Sequence, residues 1–126
     1  MNIRKTGLEW FEEHHQPVEP IRVSKFYKTH ESWKGSAWWF EFPPSDVSDP
    51  NGWLNLLCQR RDELGSFHHL RIAMGLFAAC KHHLGYRKDK DVFSLFLSAE
   101  PKSLFREMRG SGGIEFRYFK HKCEGA

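Results

Sequence analysis

Residues 66–86 read SFHHLRIAMGLFAACKHHLGY, and the fold class turns on where the repeat of this stretch changes. Up to Ile72 the alternation is that of a strand: His68, Leu70 and Ile72 share one face, and Phe67, His69 and Arg71 share the other. From Ala73 the spacing becomes helical, with Ala73, Leu76, Phe77, Cys80 and Leu84 on one stripe. Gly85 is placed to stop that helix. The stretch is therefore expected to be a strand that runs straight into a helix.

The same stretch carries the pairs His68-His69 and His82-His83 around Cys80, which raises the question of a metal site. Two ligands from one strand must lie two residues apart, and two from one helix three or four apart. A doublet meets neither condition, so each pair supplies at most one ligand. The zinc arrangement that survives is Cys80 with His83, one helical turn apart, joined by His68 or His69. Against it, Cys80 belongs to the apolar stripe, where a thiol serves as a small buried hydrophobe. Glu12 and His15 also have ligand spacing, but one short helix offers half a site.

Outward from this unit the elements alternate in kind. Thr6 to Glu9 has the form of a capping box, predicting a helix through about His15 that the prolines of PVEP (17–20) end. IRVSKFYK and SAWWFEF are expected to pair as a hairpin across THESWKG. In the second run Trp38, Phe40 and Phe42 face one way, Trp39 and Glu41 the other. PPSDVSDPNG (43–52) is a loop. WLNLLCQ (53–59) is a third strand, turning through RRDELGS into the fourth. YRKDKD is a charged turn, and VFSLFLSA (92–99) has the apolar run of a strand covered on both faces. A short helix is expected from Pro101 to Met108, a turn at GSGG, a strand at IEFRYF, and a loose tail from about residue 120.

These elements predict one α+β domain over residues 1–126, with an antiparallel or mixed sheet of about five to six strands. Two or three short helices are expected mainly on one face. Of the 126 residues, 40% are hydrophobic and 15% aromatic, enough for a core without disulfides. That excludes a disordered chain or a coiled coil. Three cysteines, an odd number, do not read as a secreted disulfide framework. No signal-like or membrane-spanning apolar run is present, so a soluble, reduced, cytoplasmic protein is expected.

A net charge of +3 allows an anionic partner without demanding one. For nucleic acid, Arg60, Arg61, Arg87, Lys88, Lys90, Lys120 and Lys122 are the candidate phosphate contacts. For a protein partner or small ligand the candidates are Trp33, Trp39, Trp53, His69 and Arg71, because tryptophan and arginine dominate binding surfaces. No serine or cysteine stands in a nucleophile motif, and GSGG lacks the lysine of a phosphate loop. Asp89, Asp91 and Glu115 could at most begin a carboxylate cluster, and Arg117 beside them is no general base. The sequence thus points to a binding module, with homodimerisation as one way to cover its apolar faces, and it implies no cofactor.

Overall fold

The computed structural model describes residues 3–14, 19–28, 35–63 and 65–120. Helix α1 (Ile3–His14) is followed by β1 (Ile21–Ser24), β2 (Ala37–Phe42), β3 (Trp53–Gln59) and β4 (Phe67–Ala73). Then come the short helix α2 (Gly75–Ala79), β5 (Tyr86–Arg87) and β6 (Val92–Ser98). This is an α+β domain, but its six strands form two three-stranded sheets and not one. The first has the order β1-β3-β4, and the second β2-β6-β5.

The core lies between the sheets. Leu54, Leu56 and Cys58 of β3 with Leu70 and Ile72 of β4 meet Trp38, Phe40 and Phe42 of β2 and Phe93, Leu95 and Leu97 of β6. Alternation explains both sides, since each set is every second residue of its strand. Trp38 sits at the centre, stacked on Phe105 at 5.2 Å, and its indole N–H donates to the Gln59 carbonyl at 2.9 Å. The far face of the first sheet is covered in part by α1, through Phe11, Trp10 and Ile3 against Leu57, Phe67, Ile21 and Val23. A Cβ on Gly7 would lie 2.7 Å from the Val23 methyls, so this glycine lets α1 lie close to β1.

Strands β3, β4 and β6 and the inward face of β2 form as their periods predict, and β6 is central in its sheet. Five expectations change. The β1–β2 hairpin is replaced by a parallel pairing of β1 with β3, because Ile21 and Val23 pack in the α1 layer. Among the described residues the Tyr27–Ala37 bridge, the bond from Trp39 N–H to Ser24 Oγ and the edge-on contact of Phe26 with Trp38 still join the two runs. Helix α1 starts three residues before Thr6, so the capping-box residues lie inside it. The helix expected from Ala73 shrinks to Gly75–Ala79 with a 3-10 turn at Lys81–His83, since Ala73 stays in β4 opposite Trp53. It inserts Phe77 at one end of the core, so the two helices do not share a face.

The helix expected over 101–108 is a 3-10 turn at Pro101–Ser103 and then an extended run. The cause is the edge of β6: β5 has two residues, and backbone groups farther along β6 would otherwise be bare. Ser98 N–H donates to the Arg106 carbonyl, Phe105 N–H to the Ser98 carbonyl and Met108 N–H to the Phe96 carbonyl, at 2.7–2.9 Å. Phe105 takes φ +65° to make this turn, a strained value for a bulky residue. Finally, IEFRYF forms a 3-10 turn at Phe116–Phe119. Its three-residue repeat brings Phe116 and Phe119 into contact at 5.8 Å. Residues 121–126, where a loose tail was expected, lie outside the described residues.

Candidate functional site: a cationic depression beside the core

After α2 the chain turns through Lys81–His83, places Leu84 in the core and enters β5 at Tyr86. These residues and Lys88 line a depression of about 470 Å³ formed by Lys81, His82, Leu84, Tyr86 and Lys88, a size usual for small-molecule sites. The Lys81 ammonium stands 4.5 Å from the Tyr86 ring centre, a cation–π contact that holds it over the floor. Tyr86 is itself fixed edge-on against Phe93 at 5.5 Å. Lys81 also lines a smaller, apolar cleft of about 260 Å³, with Pro44, Val47, Ser48, Phe77, Ala78 and Phe93.

Beside the depression a buried carboxylate, Glu107, binds the backbone that leads into β5. Glu107 Oε1 accepts from Gly85 N–H at 2.9 Å and Gly110 N–H at 2.7 Å. Its Oε2 accepts from Phe96 N–H at 3.2 Å and Arg109 N–H at 2.8 Å. One side chain thus ties β6, the entry to β5 and the 109–110 turn together. A Cβ on Gly85 would meet the Ser94 carbonyl oxygen at 2.0 Å, and one on Gly110 the His83 carbonyl oxygen at 2.2 Å. Both glycines are therefore demanded by close backbone approach.

Several arginines of the surface are paired with carboxylates. Arg22 is matched by Asp46, Arg71 by Glu19, Arg87 by Asp89 and Glu41, and Arg106 and Arg117 by Glu115. Among the described residues Lys81, His82 and Lys88 form no ion pair. The depression thus presents unneutralised cations over an aromatic floor.

Of the candidate site residues read from the sequence, Lys88 lines the depression and the others that are described lie elsewhere. Trp53, His69 and Arg71 do come together, on the far face of the first sheet that α1 covers in part, with Phe11 of α1 edge-on against His69 at 5.4 Å. The Arg71 guanidinium lies 4.0 Å from the Trp53 ring centre and bonds both oxygens of Glu19, at 3.0 and 2.7 Å. That pairing, more than any other contact, holds the Glu19 carboxyl below its ordinary range. Asn55 Nδ2 donates to Glu19 Oε1 and to the Pro20 carbonyl, which turns Asn55 Oδ1 towards His69 Nε2 at 2.6 Å. His69 Nε2 must therefore carry a proton. With His69 1% exposed, only Trp53 and Arg71 of this group can meet a partner.

Trp39 lies on the outer face of the second sheet, stacked on Phe96 at 5.9 Å. Ser94 Oγ accepts from both the Trp39 indole and Arg109. Trp33 and Lys122 are outside the described residues, as is the Glu12 side chain with His15. His68 faces inward against Trp38 and Phe105, whereas Cys80 and His83 follow α2 at the other end of the core. The structure does not bring this zinc set together, and among the described residues no three metal-ligating side chains gather. Cys58 is buried and Cys80 is a free, partly buried thiol. No helix among the described residues is long and apolar enough to cross a membrane.

The basic residues split between two ends. Arg60 and Arg61 lie at the β3–β4 turn, beside Trp38, and Arg61 stands over Phe26. Arg87, Lys88 and Lys90 lie at the β5–β6 turn, beside Phe42 and Phe93. Lys120 bridges to Leu70. Asp89 and Glu115 are taken up by arginines. Lys81, His82 and Tyr86 were missed in the sequence, where the density of KHHLGYRK (81–88) was the available signal. Comparison of the chain with protein-family models, with curated proteins and with solved structures finds no match.

Proposed function

We propose that this protein is a small binding module that holds an anionic ligand in the depression formed by Lys81, His82, Leu84, Tyr86 and Lys88. The observation that carries this reading is the convergence of charge on a concave site: Lys81, His82 and Lys88 line it with no carboxylate among its lining residues, while neighbouring Arg87 is paired with Asp89 and Glu41. A small anion fits better than a nucleic acid, because Arg60 and Arg61 lie at the opposite end of the sheets and Arg87 beside the depression is already paired with carboxylates. Titration of inorganic phosphate at low salt, followed by amide NMR shifts, tests it. Shifts should cluster at residues 81–88, and replacing Lys81 and Lys88 by Gln should weaken binding at least about tenfold, as losing a charged hydrogen bond does. Absence of shifts at 81–88 overturns the reading.

A second reading is favoured by one contact, the Arg71 guanidinium held between Glu19 and the half-exposed Trp53. Tryptophan and arginine so fixed form the kind of anchor that dominates protein interfaces. A second copy of the chain is the occupant to test. Light scattering on a size-exclusion column should show a dimer that Trp53→Ala turns into a monomer; a monomeric parent protein at high micromolar concentration removes this reading.

A further inference from the structure

The depression does not end at its cations. Lys81 lines it and also lines the apolar cleft of about 260 Å³ between the 44–48 turn, α2 and β6. Tyr86, on the cationic side, touches Phe93, on the apolar side, at 5.5 Å. The two hollows thus share one side chain and one aromatic wall. The cleft is walled by Pro44, Val47, Phe77, Ala78 and Phe93, and Ser48 is its one hydroxyl. Val47, Phe77 and Phe93 are core residues, so this cleft is an opening of the core itself. Its surface gains by being covered with apolar atoms.

We infer that the ligand is an amphiphilic anion, a carboxylate or phosphate borne on a short apolar group, whose head lies by Lys81 and whose tail fills the cleft. The inference rests on the anion-binding reading above and adds the tail. Charge complementarity selects the head: Lys81, His82 and Lys88 offer N–H donors, and no carboxylate lines either hollow. Apolar lining selects the tail, and shared Lys81 sets the two parts next to each other. A free fatty acid and an alkyl phosphate share this chemistry, and two probes separate them.

Octanoate, octyl phosphate, acetate and octyltrimethylammonium are titrated into the whole chain, below any micelle concentration, with amide NMR shifts as the readout. Octanoate or octyl phosphate should shift amides at 47–48 and 77–78 together with 81–88. The preferred head should bind at least about tenfold more tightly with the octyl chain than without it, because burying two methylenes suffices for that factor. Octyltrimethylammonium should bind at least about tenfold more weakly, because its cationic head is repelled by the lysines. Ala78→Trp, a substitution at an exposed position that blocks the cleft, should lower octanoate affinity to that of acetate and leave acetate binding as it was. If acetate and octanoate bind alike, with shifts confined to 81–88, the tail is wrong and the anion site stands. If octyltrimethylammonium binds as well as octanoate, or no anion shifts 81–88, the anion site falls and the inference with it.

Discussion

At the scale of single residues, the polar groups that matter most to this fold are carboxylates with several donors. Glu107 is 1% exposed and accepts four backbone N–H groups. Its removal leaves buried donors bare, at a cost of about 1–3 kcal/mol for each one that finds no substitute. Glu107→Ala is expected to lower stability by at least about 3 kcal/mol, read as a shift of the denaturant midpoint. Glu19 works in the same way on the other side of the molecule, and its effect depends on pH. Its folded pKa lies below the ordinary value of a glutamate, chiefly because of the Arg71 bond. A carboxyl lowered on folding stabilises above its unfolded pKa, and that contribution is lost as pH falls through the folded value. Stability should therefore decline from just above pH 4.5 downwards, and Glu19→Gln should flatten that part of an acid-unfolding curve. Neither role was legible beforehand. Glu107 stood in a predicted helix and Glu19 between two prolines, and nothing local shows which distant amides a carboxylate will reach.

At the scale of elements, β3, β4 and β6 were legible because their side chains alternate or are apolar throughout, and period two is a local property. The boundary between β4 and α2 was read one residue early, and the helix several residues too long. Apolar residues at helical spacing persist to Leu84, but the turn into β5 intervenes. Gly85 had been given the task of a helix stop. Its actual task is to let the chain pass the Ser94 carbonyl, where a Cβ would come to 2.0 Å. Gly85→Ala must displace backbone, and a loss on the order of 2–3 kcal/mol is expected, measurable by thermal unfolding. A neutral outcome would mean that β5 and β6 can part without cost.

At the scale of the whole molecule, two sheets face each other over one core, and their ends differ in chemistry. Strand β2 runs from the Trp38 end, near Arg60 and Arg61, to the Phe42 end, near the depression. Its six residues span roughly 17 Å at the usual rise, beyond the screening length of about 10 Å at 0.1 M salt. Reversing the charge of Arg60 and Arg61 is therefore expected to change phosphate affinity at the depression less than about twofold, by the same NMR titration. By itself the sequence determined the α+β class, the inward face of β2 and the splitting of each histidine doublet, because these follow from the direction of neighbouring side chains. Only the tertiary structure decided that β1 joins β3 instead of β2, and that the chain after Pro101 extends along β6. It alone set Lys81 between a cationic hollow and an apolar one. Those outcomes depend on which backbone edges and core surfaces, distant in sequence, are left needing partners.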